Sequence, residues 1–272
     1  MADKIRKNVK EIALSHAFIV THAYKKYEDI IKPVDGWERV CVSEDLMGES
    51  KNGFQGALYC VKHSETKECK YVIAFCGFDD AGDIKNVIEA GFIGLPAQLE
   101  DAYAFTAKVC AEYKIPTKDL EFAGHSLGGY LAKSVASHWG AKAVWSFNSP
   151  GFKKEDNDLL KAFFAEKQDS TDKPALTPTI HNVNSKYDVV SRWGYQKGYV
   201  HEIETPSDHH NMRVMIEALS GSSLLISNPK PAGKIRLAAR AVFDNIGKSD
   251  IVRNALDKIF RNKKKNPPEN KL

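Results

Sequence analysis

The chain has 272 residues, 43% hydrophobic and 10% aromatic, enough for one large domain with a substantial core. Its net charge of +4 is uneven: residues 234–272 hold 11 Lys/Arg against 4 Asp/Glu, so the body before them is slightly acidic and is not built as a nucleic-acid reader. No run of 18 apolar residues occurs, so no helical membrane span is expected. The five cysteines, an odd set with no CxxC, read as free thiols in a reducing compartment rather than as a disulfide frame or a thiolate metal site.

Residues 4–27 carry Ile5, Val9, Ile12, Ala13, Ala17 and Val20 at helical spacing and are expected to form an amphipathic helix. Charges at its start, and Ser15 and His16 inside its most apolar stretch, argue against a cleaved leader. Strands are expected at 37–42, 54–61 and 71–75, with Asn52-Gly53 and the polar 62–70 stretch as turns. The third strand, Tyr71-Val72-Ile73-Ala74-Phe75, is apolar throughout, as suits a strand buried on both faces of a mostly parallel sheet. The loop after it, Cys76-Gly77-Phe78, is either an ordinary turn or, through the Phe78 N–H, a donor to an oxyanion. Residues 87–95 are apolar with Gly91 and Gly94 and suit a lid, a pocket wall or a packed connection. A helix at 97–113 follows, stopped by Ile115-Pro116.

The most informative stretch comes next. Leu120-Glu121-Phe122-Ala123 runs as a strand into Gly124-His125-Ser126-Leu127-Gly128-Gly129, and a helix carrying Leu127, Leu131, Ala132, Val135 and Ala136 leads away. This is the strand, tight turn and helix of a nucleophile elbow. A serine hydroxyl is a poor nucleophile and must stand clear of the sheet to meet a base and a carbonyl carbon. The turn that lifts Ser126 crowds the backbone, which requires small residues at 124 and 128. Gly129 lets the helix pack close. The first helical amide, that of Leu127, is placed to receive an oxyanion. A glycine-rich turn holding a phosphate is the competing reading; no Lys follows in P-loop spacing to support it.

Beyond the elbow, a strand is expected at 142–148, a helix at 156–166, a polar loop at 168–177 and strands at 179–184 and 198–203, then a helix at 212–219. Asp188 lies just past the end of a buried strand, where active-site groups of open α/β sheets gather. The other acids after Ser126, namely Asp156, Asp158, Asp169, Asp172, Glu202 and Glu204, fall mostly in helical or polar-loop segments. His209 and His210 stand at a helix start with His201 nearby, and pattern alone does not separate them as a base. The cluster Asp208, His209 and His210 reads poorly as a metal site, because adjacent residues rarely point at one ion. His125 reads as packing beside the nucleophile. The order Ser, Asp, His is that of α/β-hydrolases, and it gives Ser126 as nucleophile, Asp188 as orienting acid and a histidine as general base.

The chain resembles the lipase class 3 family, the fungal triacylglycerol-lipase type of α/β-hydrolase, from about residue 53 to 219. The resemblance is carried by Gly53-Phe54-Gln55-Gly56-Ala57-Leu58-Tyr59, Val72-Ile73-Ala74-Phe75-Cys76-Gly77, Gly124-His125-Ser126-Leu127-Gly128-Gly129, Ser146-Phe147-Asn148-Ser149-Pro150, and Asn184 with Asp188-Val189-Val190. His210-Asn211-Met212 is similar to the family's His-x-Met ending and favours His210 over His209. The resemblance implies a mostly parallel sheet flanked by helices, the triad Ser126, Asp188 and His210, and an oxyanion hole from Phe78 and Leu127. Two departures matter: the usual disulfides of the family's secreted fungal members have no evident counterpart here, and the family usually has Arg-Gly-Thr or Arg-Gly-Ser where this chain has Cys76-Gly77-Phe78. The lost hydroxyl is expected to weaken activity rather than abolish it.

The expected organisation is a hydrolase domain over 1–225 with its N-terminal helix, two amphipathic helices within 226–262, broken at Gly247-Lys248, and a basic tail at 263–272. The basic helices read either as packed on the core or as lying on an anionic membrane. The expected activity is hydrolysis of a carboxylic ester, a lipid or smaller acyl ester, without metal or cofactor. A catalytically weak binding protein and an acyltransferase using the same triad are the alternatives. The expected location is the cytoplasm, or outside the cell by a route without a cleaved signal.

Overall fold

The computed structural model describes residues 2–62, 68–77, 97–154, 156–167, 177–221 and 225–227, all within one compact unit. The segment at 87–95, Phe78 and the expected helices after 226 lie outside the described residues.

Eight strands form one sheet in which spatial order follows chain order. They are β1 (Glu38–Val42), β2 (Gly56–Lys62), β3 (Cys69–Phe75), β4 (Leu120–His125), β5 (Ala143–Phe147), β6 (Thr179–Ser185), β7 (Tyr199–Ile203) and β8 (Leu225–Ser227). Strands β3 to β7 run parallel; β1 and β2 add antiparallel at one edge and β8 at the other. This is the α/β-hydrolase fold expected from the sequence, a mostly parallel sheet flanked by helices. The apolar run of β3 explains its central place: Val72, Ile73, Ala74 and Phe75 are fully buried, so both faces of the strand are covered.

Crossovers of one hand between sequential parallel strands return along one face of the sheet. That face holds α3 (Gln98–Tyr113), α4 (Leu127–Trp139) and α5 (Asp156–Glu166). Helix α4 packs on β3, β4 and β5 and against α3. Phe105 of α3 meets Phe54, whose ring meets Phe75, and Phe75 meets Phe122 of β4. Phe164 of α5 stacks on His138 at the end of α4, with ring centroids 4.2 Å apart.

The opposite face is covered by α1 (Ala2–Ala23), with α6 (Met212–Gly221) packed against it. Ala13, Ala17 and Val20 are fully buried, and their small size lets α1 sit close to Val72, Ala74, Ala123 and Phe147. His16 Nδ1 donates to the Ile12 carbonyl, 2.8 Å, and its Nε2 lies 3.3 Å from Glu121 of β4. Lys142 reaches the other oxygen of Glu121, also at 3.3 Å. Burial alone would raise the Glu121 carboxyl; His16 and Lys142 outweigh it and bring the pKa to about 2.

Three differences from the sequence reading have local causes. Helix α1 stops at Ala23 and a tight turn at Lys25–Tyr27 follows; Tyr24 between them is extended (φ −70°, ψ 123°), which turns its ring inward. A short helix, α2 (Ser43–Met47), follows β1, with Asp45 accepting the Val42 N–H at 2.9 Å. The edge strand β8 is three residues long, too short for a periodic pattern to reveal. All five cysteines are free: Cys41 and Cys76 are buried, and Cys60, Cys69 and Cys110 are half-buried.

Candidate active site

Ser126 sits between β4 and α4 with φ 56° and ψ −126°, a conformation that strains any residue with a side chain. The strain is held by packing that tolerates only glycine on either side. A Cβ on Gly124 would lie 2.2 Å from the Gly128 carbonyl oxygen, and one on Gly128 would lie 2.1 Å from the Phe75 carbonyl oxygen. Gly129 approaches Ser149, past the end of β5, where an added Cβ would come within 2.5 Å of a side-chain atom. The helix is therefore pressed against the β5 loop as well as against its own strand. The Ser126 amide donates to the Phe147 carbonyl, 3.0 Å, tying the elbow to β5. Leu127 begins α4, so its N–H belongs to a first turn that offers no helical acceptor. Phe78, the other expected oxyanion donor, lies outside the described residues.

Asp188 and His210 come together at the carboxyl edge of the sheet. His210 Nδ1 lies 2.7 Å from Asp188 Oδ1, and Asp188 is only 1% exposed. The second carboxylate oxygen accepts the Ser191 N–H at 2.6 Å. An acid buried this deeply is ionised at low cost only when hydrogen-bonded, and these two donors also fix its direction. With Nδ1 facing a carboxylate, the proton of neutral His210 belongs on Nδ1, which leaves a lone pair on Nε2. That Nε2 is buried and makes no hydrogen bond to the described residues.

The other histidines are placed elsewhere. His209 Nδ1 lies 2.7 Å from Thr205 Oγ1 and its ring rests on Tyr187. His201 Nε2 lies 3.0 Å from His181 Nδ1, and His181 stacks on Trp145 with centroids 4.1 Å apart. His125 is buried beside His210, ring centroids 4.7 Å apart. Burial, first, and then the neighbouring His210 hold its pKa well below the usual histidine value, so His125 is neutral. Of the alternative acids, Asp156 accepts the Lys153 N–H at 2.7 Å at the start of α5, and Glu204 pairs with Lys186 at the surface. Among the described residues no group of three or more His, Cys, Asp or Glu side chains is arranged to hold a metal ion.

Residues 15–228 match a family model described as Phospholipase-like, Tle-like phospholipase domain. The chain belongs to this family. Of solved structures, the Francisella virulence factor BioJ is 12% identical over 90% of this chain and 91% of its own, with a TM-score of 0.35. The carboxylesterase EstE1, cloned from a metagenomic library, is 16% identical over 69% of this chain and 78% of its own, with a TM-score of 0.31. The extracellular lipase LipA of Serratia marcescens is 18% identical over 55% of this chain, with a TM-score of 0.29; this chain spans 27% of LipA's length. A search of curated proteins gave no match.

The Tle-like domain also uses residues that pattern reading passed over. Asn148 is fully buried at φ 45°. Its Oδ1 accepts the Ser185 N–H at 2.7 Å and its Nδ2 donates to the His209 carbonyl at 2.9 Å. It thus fastens the end of β6, just before Asp188, to the loop that carries His210. Ser185 and Thr205 add a second tie, with hydroxyls 2.5 Å apart. Asn148 stands in the stretch Ser146-Phe147-Asn148-Ser149-Pro150, but a lone Asn after a strand carries no signal of where its amide points. In α4, Lys133 is fully buried, and its Nζ donates to the Pro150 carbonyl (2.7 Å), Gln196 Oε1 (3.1 Å) and Asn182 Oδ1 (3.4 Å). Burial lowers its pKa to about 7.

Proposed function

We propose that this Tle-like domain is a serine hydrolase of carboxylic esters, with acyl esters of phospholipids as the leading substrate class. The observation that carries the reading is the Asp188–His210 hydrogen bond of 2.7 Å, made at the sheet edge where the strained elbow presents Ser126. Ser126 Oγ attacks the acyl carbon while its proton passes to His210 Nε2. The oxyanion is met by the Leu127 amide and, on the family pattern, by that of Phe78. Imidazolium formation is favoured by the buried Asp188 carboxylate. Collapse of the tetrahedral adduct expels the alcohol, which takes the proton from His210 and leaves an acyl-Ser126 ester. Water then attacks that ester with His210 again as base, releasing the acid and restoring the hydroxyl. Within this reading, the Gly124–Gly129 stretch and the His210-Asn211-Met212 ending support a likeness to the class 3 lipases, and the basic pattern after residue 234 supports contact with anionic membrane surfaces.

The test is hydrolysis of p-nitrophenyl esters of short, medium and long chains, and of phosphatidylcholine vesicles, by wild type and Ser126→Ala side by side. Turnover and fluorophosphonate labelling in wild type, both absent in the variant, are expected. Absence of both in wild type would sink the reading. Product analysis with an added alcohol acceptor separates hydrolysis from acyl transfer.

A further inference from the structure

Three hydrogen bonds of equal length run behind Ser126. The Gly77 N–H donates to the Tyr24 hydroxyl oxygen at 2.8 Å. Tyr24 Oη lies 2.8 Å from His125 Nδ1. His125 Nε2 lies 2.8 Å from the main-chain carbonyl oxygen of His210. Tyr24 is 3% exposed and His125 6%. One proton arrangement satisfies a neutral His125 in this chain. A carbonyl only accepts, so Nε2 carries the hydrogen and Nδ1 is bare. Tyr24 therefore donates its hydroxyl proton to Nδ1 and uses an oxygen lone pair for Gly77.

The ends of the chain are the two segments that flank the nucleophile. Gly77 belongs to the loop after β3 and lies directly against Ser126: a Cβ added there would be 2.9 Å from Ser126 Cβ and 2.8 Å from the His125 carbonyl oxygen. His210 carries the ring that meets Asp188. His125 is the residue before Ser126, so the elbow itself is the middle link.

We infer that Tyr24 and His125 act as a positioning relay, in which a tyrosine at the end of the N-terminal helix fixes Gly77 and the His210 backbone on the two sides of Ser126. The inference rests on the hydrolase reading of the same site. Neither residue touches substrate in this role; both act through Ser126 and His210. A protonated His125 would face the Tyr24 hydroxyl with a second N–H and break the direction of the relay. The groups around it keep it neutral: it is buried, His210 lies alongside and Lys26 adds positive potential.

Tyr24→Phe keeps the ring and removes only the hydroxyl. The relay predicts that kcat and the rate of fluorophosphonate labelling fall about 10- to 100-fold, the scale of a misplaced catalytic group, with KM within about twofold of wild type. It also predicts that the downfield proton shared by His210 Nδ1 and Asp188 changes its NMR shift in a variant whose circular dichroism is unchanged. Wild-type kcat, labelling rate and proton shift in Tyr24→Phe would overturn the relay. If that variant does not fold, His125→Gln decides: its amide N–H still reaches toward the His210 carbonyl, but the acceptor for Tyr24 is lost, and wild-type rates and shift in it overturn the inference. A wild type that neither turns over esters nor labels refutes the hydrolase reading instead, and the proton shift then judges the relay by itself.

Discussion

At the scale of single residues, the elbow and the acid–base pair make sharp demands. In the proposed mechanism, Asp188→Asn keeps the volume of the side chain but removes the charge that orients His210 and stabilises its imidazolium, so kcat toward p-nitrophenyl esters should fall by on the order of 10⁴. The variant should still fold, which near-ultraviolet circular dichroism checks. Gly124→Ala brings a methyl within 2.2 Å of a main-chain oxygen, with no flexible atom to yield. It should lower the unfolding free energy by at least about 2 kcal/mol in a urea titration and reduce ester turnover with it. Much at this scale was legible in the sequence. Ser126, its glycines and Asp188 each follow from a local rule about turns and strand ends. His210 and His209 were not separable by such a rule, because what distinguishes them is the partner each meets: Asp188 for one, Thr205 for the other. Tyr24 and Asn148 were illegible for the same reason. An aromatic at the end of an amphipathic helix reads as core, and its bond to His125 spans 101 positions of chain.

Among the elements, α4 departs furthest from its pattern. Its apolar residues suggest a stripe with Lys133 outside it, yet every residue from Leu127 to Ala136 is buried, because the sheet, α3 and the loops after β5 surround it. Lys133 is satisfied by carbonyl oxygens from the loop after β5, from β6 and from the segment before β7, so it joins three parts of the sheet edge to the helix that follows Ser126. With its pKa lowered by burial to about 7, folding favours the neutral amine. Between about pH 7 and 10.5 the unfolded chain holds the proton more tightly than the folded one. This group's contribution to stability therefore rises with pH across that window, by about 1.4 kcal/mol per unit at most. Lys133→Met should remove that rise: the stability difference between wild type and variant, measured by urea unfolding, should shift in favour of wild type from pH 7 to pH 9. The strands were largely legible because apolar runs bounded by glycine and polar turns mark them. Helix α2 and strand β8 were not, being held by a cap and by an edge pairing rather than by periodicity.

For the molecule as a whole, the layer under the sheet sets the response to acid. His181 and His201 are each lowered to about 4, in both cases chiefly by burial, and the His181–His201 contact adds to the effect on His201. Above the ordinary histidine value both states are neutral and nothing changes. As pH falls from about 6.5 toward 4, the unfolded chain takes up protons that the folded chain refuses, and stability is lost. Wild type should therefore unfold at lower urea at pH 5 than at pH 7. His181→Phe, which keeps the stack on Trp145, should blunt that dependence. The sheet order was legible only in part. Apolar β3 and the elbow announce a parallel sheet, but nothing local says that α1 and α6, far apart in the chain, share its underside. That pairing has a consequence in time. Contacts between distant segments close slowly, because the intervening chain must be ordered first. Helix α1 leads the chain, yet α6, with which it shares the underside, comes only after the seven strands β1 to β7 have been made. Tyr24, at the end of α1, reaches its place behind Ser126 only when that layer shuts. On the hydrolase reading, a chain whose α1–α6 layer has not yet closed carries Ser126, Asp188 and His210 without the relay behind them, so activity should be the last property this fold acquires.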